Sequence, residues 1–484
     1  MVEFGIIDEW EPASGRLVSW RASPGSVAHA RSAPAHPTPP SHQQEDYLRS
    51  VYRDVRRRGL CVVTAELPGT LDRVLMTRAI NAFLLRHDTF RSRFAIGPDG
   101  EISRHTVASG VVEFVSTDHG RRDAAAIRAH VRYETPGPFE WDCFTFGTVE
   151  REHTTTVYIA IDHLHTDGVA QYISCFDLAR QYALAAGGAA VALPQPASHL
   201  AYCDRERRYT AGLSRFSPGV MKWVELVRGN DGELPSFSLD LGRADSDGNR
   251  SAHRTIQLFD SSGAAHFEQA CRVSGGGFAA GIFAAAAMTE RELIGSDYFF
   301  GMTPINTRTS PAEFLSVGWY ASLVPVAFPM GRDASFARLV TCAQHAYESG
   351  SRLASVPFHR VLELLSADDG ITVQRGWSTP MISYIDTRDF AGNEYFDAFS
   401  GGVYGGGEAT SEVLVWINRM PDETLLSVIF PDTEVAHASV RRYVDVLKSV
   451  FAGVAAATSD TIESFVSVAT AVVVLGDSVQ DHLH

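Results

Sequence analysis

The stretch VYIAIDHLHTDGVAQYISCFDLAR (157–180) decides the fold, because it holds a strand, a polar turn and a helix in immediate succession. Its first five residues are apolar, β-branched or aromatic, which predicts a strand. The seven residues DHLHTDG (162–168) then bring together two His, two Asp and a Gly. Apolar residues at helical spacing after this turn predict an amphipathic helix over 168–186. Any chemistry is therefore expected at the turn between strand and helix.

Two interpretations of this turn involve no imidazole base. His163, His165 and Asp167 have the HxHxD spacing of metal-dependent hydrolases, and such a trio is able to hold zinc or iron. Gly168 stands where that pattern has a further ligand, and no later segment supplies the others, so we expect no metal. The second interpretation is purely structural. Asp167 is then the N-cap of the helix, and Gly168 permits the turn.

The third interpretation makes His163 a general base. A neutral imidazole, with an ordinary pKa of about 6.5, takes a proton from a hydroxyl or an amine at neutral pH. Asp167 would brace the loop through a salt bridge with an Arg, and Gly168 would let backbone N–H groups approach the reacting centre. We expect His165 to lie behind His163 rather than in the reaction. Asp162 should point away from His163 and either meet acceptor hydroxyls or cap the strand.

The rest of the chain predicts an α+β (mixed α/β) fold, because strand and helix patterns mix throughout and several pairs look like hairpins. At 484 residues the chain exceeds the usual size of one hydrophobic core, so two domains are expected. We place them at 1–200 and 253–484, with a less periodic connection over 201–252. A helix is expected inside that connection, around 203–228.

The balance of charge argues against nucleic acid as a partner. The chain has 42 basic and 57 acidic residues, a formal net charge of −15, whereas phosphate neutralisation needs a basic surface. The one basic run, Arg56 to Arg58, is interpreted as a solvated helix end, with contact to an anionic cofactor tail as the alternative.

A cytoplasmic location is expected from three features. The six cysteines are scattered, which suggests reduced thiols. The first residues, MVEFGIIDEWEP, lack the basic and apolar regions of a secretory signal. The apolar stretch FVSVATAVVVL (465–475) is about half the length of a membrane span and is interpreted as a strand or a buried helix. A peripheral position at the inner face of the membrane remains an alternative.

The pattern HxxxDG after an apolar strand, here His163 to Gly168, resembles the signature of the condensation-domain superfamily of CoA- and carrier-protein-dependent acyltransferases. The fuller form of that signature is HHxxxDG, and Asp162 replaces its first His. The chain is most similar to the polyketide-associated acyltransferases, especially the branch that acylates trehalose, over residues 6 to 455. Segments that carry the likeness are DEWEPASGRLVSWRASP (8–24), LDRVLMTRAINAFLLRHDTFRSRF (71–94), PFEWDCFTFGTVE (138–150), GMTPINTRTSPAEFLSVGWYASLVPVAF (301–328) and LLSVIFPDTEVAHASVRRYVDVL (425–447).

One part of the superfamily pattern is missing. Its second motif, DFGWG, does not occur, and GGVYGGGEATS (401–411) stands at about that location. This glycine-rich segment either serves the same structural role or forms a flexible loop.

The resemblance implies two chloramphenicol-acetyltransferase-like lobes that form a V with a central tunnel. His163 would lie in the tunnel as the general base, and donors near Gly168 would hold the oxyanion. Arg308 is the candidate partner of Asp167 or a support of the channel. Trp319 and Tyr320 would line the tunnel, with core packing as the alternative.

The resemblance also implies the substrates. The acyl donor would be acyl-CoA or an acyl-phosphopantetheine carrier protein, such as one of a polyketide synthase, and no cofactor would be bound permanently. The acceptor would be a hydroxyl of a sugar such as trehalose, and the protein a monomer. Two alternatives stay open: an ester- or amide-forming enzyme of natural-product biosynthesis with a non-sugar acceptor, and a non-catalytic domain that recruits a carrier protein.

Overall fold

Helices and strands are interspersed along the chain, which confirms the α+β (mixed α/β) prediction. The computed structural model describes residues 3–187, 194–242, 251–331, 334–373, 377–388, 390 and 399–457. The apolar stretch 465–475 and residues 243–250 of the predicted connection lie outside the described residues.

The strands are named in chain order. They are β1 (Glu3–Ile6), β2 (Gly15–Ala22), β3 (Ala35–His36), β4 (Leu60–Pro68), β5 (Ser92–Ile96), β6 (Ile102–Thr106), β7 (Phe114–Arg122), β8 (Phe144–Glu150), β9 (Thr154–Asp162), β10 (Ser251–Asp260), β11 (Tyr298–Asn306), β12 (Ala321–Pro329), β13 (Met381–Asp386), β14 (Gly402–Gly405), β15 (Leu414–Arg419) and β16 (Glu423–Pro431).

The helices are named in the same way. They are α1 (Pro24–Arg31), α2 (His42–Arg53), α3 (Arg73–Arg86), α4 (Ala124–Glu134), α5 (Gly168–Ala185), α6 (His199–Ala211), α7 (Pro218–Arg228), α8 (Ser261–Val273), α9 (Phe278–Ile294), α10 (Phe336–Ser351), α11 (Phe358–Leu364) and α12 (Glu434–Ala456).

These elements form two compact units, each assembled from separate stretches of the chain. Unit 1 comprises Met1–Gly212, Asn306–Ala321 and Asp389–Ala409, and unit 2 comprises Leu213–Ile305, Ser322–Arg388 and Thr410–His484. The candidate site residues of the turn 162–168, with Arg308, Trp319 and Tyr320, all belong to unit 1.

Unit 1 is built on a seven-stranded sheet with the order β1-β14-β4-β9-β8-β2-β7. The strands β8 and β9 form the predicted antiparallel hairpin. Successive side chains of β9 point to opposite faces of the sheet. Ile159 and Ile161 join one apolar cluster with residues of α3 and α5, and Tyr158 and Ala160 join another with residues of α4. Burial on both faces explains why the strand VYIAI is continuously apolar.

The glycine-rich segment 401–411 contributes a strand to this sheet. β14 lies between β1 and β4, parallel to the first and antiparallel to the second. A Cβ at Gly406 would lie 2.9 Å from the Cβ of Leu60 and 3.1 Å from its backbone nitrogen, so glycine is needed for this close approach. The flexible-loop interpretation is therefore wrong for residues 402–405.

Unit 2 has a four-stranded sheet with the order β10-β16-β15-β13, in which β15 and β16 are the predicted hairpin. Its largest apolar cluster includes residues of α8, α9, α10 and α12. In the described ranges no single helix is long and apolar enough to cross a membrane. The pair α8 and α9, which bends by 88° at its break, meets the criterion of length and composition only when taken together.

The predicted single helix around 203–228 is wrong. The chain forms α6 and α7 instead, and these belong to different units. Gly212 ends α6, and Pro218 occupies the first turn of α7. Proline fits the start of a helix but interrupts its interior, so the break follows from its position.

Candidate active site

The turn after β9 is short and tightly fixed. Residues His163–His165 form one 3₁₀ turn, and α5 begins at Gly168. The Asp167 carboxylate caps this helix by accepting the Ala170 N–H at 2.7 Å. The predicted N-cap is therefore present, and it fixes where the chain leaves the sheet and becomes helical.

Asp162 is the last residue of β9, and its side chain is fully buried. Its Oδ1 accepts hydrogen bonds from Tyr47 Oη at 2.8 Å and from the Leu164 N–H at 3.1 Å. Its Oδ2 accepts one from Arg58 Nε at 3.2 Å. Burial raises the pKa of Asp162 to about 6, against the opposing effect of the Arg58 charge. Of the two predicted roles, the geometry provides strand capping.

The imidazole of His163 is partly buried and lies beside Trp319, with 4.2 Å between the ring centroids. Burial lowers the pKa of His163, while the carbonyl of the same residue and the Asp167 charge act in the opposite direction. Nδ1 is enclosed and makes no hydrogen bond to another described residue. The carbonyl of the same residue favours the tautomer with the proton on Nδ1, in which the lone pair is on Nε2.

The predicted pairing of Asp167 with Arg308 is present. Arg308 Nη1 donates to Asp167 Oδ2 at 2.9 Å, and the Tyr320 N–H donates to the same oxygen at 2.7 Å. The guanidinium of Arg308 also donates to Asn306 Oδ1 and to the carbonyls of Glu313, Ser316 and Gly318. Both charges are almost completely buried, so the pair holds the segment 306–321 against the start of α5.

That segment carries both aromatic residues predicted to line a tunnel. Tyr320 is fully buried, its hydroxyl donates to Ser316 Oγ, and its ring lies under the Arg308 guanidinium. The alternative of core packing therefore describes Tyr320. Trp319 is 8% exposed and covers the imidazole of His163.

His165 does not share the surroundings of His163. Its Nδ1 is 2.9 Å from Thr89 Oγ1, and its ring is enclosed by the rings of Phe90, Phe94 and Phe144. Burial lowers the pKa of His165 to about 3. The turn has directed this ring into the core, and the expectation that His165 takes no direct part in the reaction stays a prediction.

Gly168 does not have the turn conformation that the sequence predicts for it. It is the first residue of α5 and is absent from the described residues with a positive φ, so the turn does not require glycine for its conformation. Asp167, in an extended conformation, makes the turn instead. The first N–H groups of a helix have no partner within it. Those of Gly168 and Val169 are therefore available as donors at this end of α5.

The sequence patterns do not indicate the roles of three residues of this site: Tyr47, Arg58 and Gly59. The basic run predicts a solvated helix end at Arg58, yet its guanidinium donates to Asp162 and to the carbonyls of Thr135 and Pro136. For Arg58 the solvated interpretation is wrong. A useful signal was the position of the basic run directly before the strand β4, which pairs with β9.

The HxHxD spacing does not produce a cluster of ligands. Among the described residues no group of three or more His, Cys, Asp or Glu side chains is arranged to hold a metal ion. The side chains of Asp167 and His165 are instead engaged with Arg308 and Thr89.

Comparison with known proteins gives matches over most of the chain. Residues 60–373 match the family model of the Condensation domain. PapA1 of Mycobacterium tuberculosis, a 2'-acyl-2-O-sulfo-trehalose (hydroxy)phthioceranyltransferase, is 35% identical over 93% of this chain and 88% of that protein. The trehalose-2-sulfate acyltransferase PapA2 of the same species is 35% identical over 96% of this chain and 99% of its own length.

Solved structures agree with this similarity. A PapA2 acyl transferase has a TM-score of 0.88 and 34% identity, and the match covers 94% of this chain and 100% of that chain. The condensation domain of the monacolin K polyketide synthase MokA has a TM-score of 0.68, with 86% of this chain and 97% of that one covered. At 15% identity the second structure shares the fold alone.

Proposed function

Because the chain belongs to the Condensation domain family, we propose that it transfers an acyl group from a thioester to a hydroxyl of a sugar related to trehalose. The chain is an O-acyltransferase, in line with its relatives. Two of these relatives, PapA1 and PapA2, are named for sulfated trehalose. Their names support a trehalose derivative as the acceptor here.

The environment of the His163 imidazole is the observation that carries the proposed mechanism. Its Nδ1 is enclosed, its Nε2 makes no hydrogen bond to a described residue, and burial lowers its pKa. A neutral ring with a free lone pair on Nε2 is suited to take a proton from a hydroxyl at neutral pH. His163 is therefore the proposed general base.

The reaction balances without a covalent enzyme intermediate. Nε2 of His163 takes the proton from the acceptor hydroxyl. At the same time the acceptor oxygen forms a bond to the carbonyl carbon of the thioester. The backbone N–H groups of Gly168 and Val169 are the proposed donors to the oxyanion. When the carbon–sulfur bond breaks, the departing sulfur receives the proton from the imidazolium, so that an ester and a free thiol result.

Asp167 contributes to the proposed mechanism by fixing the start of α5 and not by contact with the substrate. Its carboxylate caps α5 and holds Arg308, so it fixes the first turn that offers the proposed oxyanion donors. Its charge also favours the imidazolium that forms when His163 accepts the proton. The proposed donor is acyl-CoA or an acyl-phosphopantetheine carrier protein, acting as a co-substrate.

The test is product analysis by mass spectrometry after incubation with palmitoyl-CoA and each of three acceptors: trehalose, 2-sulfated trehalose and a simple alcohol. We expect a mono-acylated sugar and free CoA, formed in equal amounts. Acylation of the alcohol but of neither sugar would reject the sugar acceptor. If no acyl-CoA is consumed with any acceptor, the assay is repeated with the acyl group on a carrier protein. Inactivity with both donors rejects the proposal.

The role of the base is tested with two His variants. His163→Ala should lose turnover while the protein keeps its thermal unfolding midpoint. His153→Ala is the matched control, because that side chain is 85% exposed and lies on the turn between β8 and β9. Unchanged turnover in His163→Ala would exclude the imidazole as the base.

A further inference from the structure

Among the described residues, no neighbouring side chain orients the His163 imidazole through a hydrogen bond to Nδ1. Nδ1 makes no hydrogen bond to another described residue, although a general base works from a fixed tautomer and ring orientation. The backbone of His163 and the rings packed against it must therefore supply the orientation.

One side chain, Tyr47 of α2, contacts each of these supports. Its Oη accepts the Gly59 N–H at 3.0 Å, and the Gly59 carbonyl accepts the His163 N–H at 2.8 Å. The same hydroxyl donates to Asp162 Oδ1 at 2.8 Å. The ring of Tyr47 meets Trp319 edge-on, with 5.6 Å between centroids, and Trp319 in turn covers the imidazole.

Arg58 holds the Asp162 carboxylate through its second oxygen. Its Nε donates to Asp162 Oδ2, and its Nη2 donates to the carbonyls of Thr135 and Pro136 at 2.8 Å each. Without the Tyr47 hydroxyl, the buried Asp162 would lose a donor and the Gly59 N–H would lose its acceptor. Unpaired buried polar groups are costly, so the turn would rearrange to satisfy them.

The packing around Gly59 leaves little room for such movement. A Cβ at Gly59 would lie 3.1 Å from the Cβ of His163, so the backbone of residue 59 sits directly against the base of the imidazole side chain. A displacement of Gly59 is therefore transmitted to His163.

We propose that Tyr47 is a positioning residue, which holds the His163 imidazole in its reactive orientation through Gly59, Asp162 and Trp319. The inference rests on the proposed function and adds to it a residue that acts through other groups rather than on the substrate. Its test therefore needs one measurement that is independent of turnover.

The first measurement is an NMR titration of the His163 Cε1–H signal in the free protein, assigned by its loss in His163→Gln. In Tyr47→Phe the pKa of His163 should rise toward its ordinary value, because looser packing admits water to the ring. Tyr52→Phe is the matched control, since Tyr52 lies on the same helix and is 62% exposed. Its titration should match that of the wild type.

The second measurement is steady-state kinetics. Tyr47→Phe should lower kcat by about tenfold or more, while KM changes by less than about twofold, because misplacement of a catalytic group affects the reaction step more than binding. Tyr52→Phe should retain both constants.

The outcomes separate this inference from the proposed function. A Tyr47→Phe titration that coincides with the wild-type curve overturns the positioning role, as does an unchanged kcat in an active enzyme. If Tyr47→Phe shifts the pKa of His163 but the wild-type protein acylates no acceptor, the positioning role is supported and the proposed function is rejected. If Tyr47→Phe does not fold, Asp162→Asn preserves the side-chain volume, and the same two results support or overturn the inference.

Discussion

Arg308 Nη1 lies 2.9 Å from Asp167 Oδ2, although 141 positions separate the two residues in the chain. This buried pair attaches the segment 306–321 to the beginning of α5. The same segment carries Trp319, which covers the imidazole of His163. One ion pair thus brings a late part of the sequence to the candidate base.

Removal of one partner from this pair should destabilise the protein strongly. Arg308→Met leaves the Asp167 charge buried without its partner, and the free energy of unfolding should fall by about 3–5 kcal/mol. Denaturant unfolding measures the loss. In the control Arg208→Met the loss should stay below about 1 kcal/mol, since the pair of Arg208 with Asp204 is exposed. Equal losses in the two variants would contradict the structural role of the buried pair.

Exposure of the imidazole should move the pH dependence of the reaction. Burial lowers the pKa of His163, and Trp319 provides part of that burial. The base must be unprotonated, so kcat/KM should fall as the pH drops through this pKa. In Trp319→Ala the pKa should rise, and the acidic limb of the pH–rate profile should shift to higher pH. A profile with an unchanged acidic limb would show that Trp319 does not shield the base.

The buried His165 should make the protein sensitive to acid. In the unfolded chain this residue protonates near its ordinary pKa of 6.5, whereas in the folded protein its pKa is lowered to about 3. The unfolded state therefore binds more protons between these values, and stability falls by up to about 1.4 kcal/mol per pH unit as the pH decreases. His165→Leu should flatten a plot of unfolding free energy against pH over this window.

His153→Leu serves as the control for that comparison, because its exposed imidazole should leave the slope unchanged. If His165→Leu keeps the wild-type slope, other groups are responsible for the loss of stability in acid.

Two adjacent glycines should respond differently to alanine. A Cβ at Gly406 would press against Leu60, whereas a Cβ at Gly405 would meet no atom within 4 Å. Overpacking of this kind costs about 1–3 kcal/mol. Gly406→Ala should lower the free energy of unfolding by that amount, and Gly405→Ala should be close to neutral. Comparable losses in both variants would contradict the close approach of β14 to β4.

The local part of the site was predictable from the sequence. The continuous apolar run, the polar turn and the helical spacing over 154–186 correctly predicted β9, the cap at Asp167 and α5. The partner Arg308 was predictable because a carboxylate at that place needs a cationic partner, and the family resemblance indicated the segment that supplies it. These inferences depend on short-range patterns and on motif positions.

The support of the base was not predictable in the same way. Tyr47 and Arg58 meet Asp162 across more than 100 positions of the chain, at 115 and 104. No periodicity encodes such a contact. The basic run around Arg58 also has the composition of a solvated surface, so the half-buried guanidinium of Arg58 cannot be told from its neighbours until the fold is known.

The position of β14 has a consequence for folding of the chain during its synthesis on the ribosome. The strand β4 cannot gain its second neighbour until residues 402–405 have been synthesised, more than 330 residues after β4 itself. During that interval an unpaired strand edge is open to mispairing with other nascent chains. Chaperone binding to ribosome-bound chains from which residues 402–405 have not yet emerged should therefore exceed binding to longer chains in which these residues are outside the tunnel.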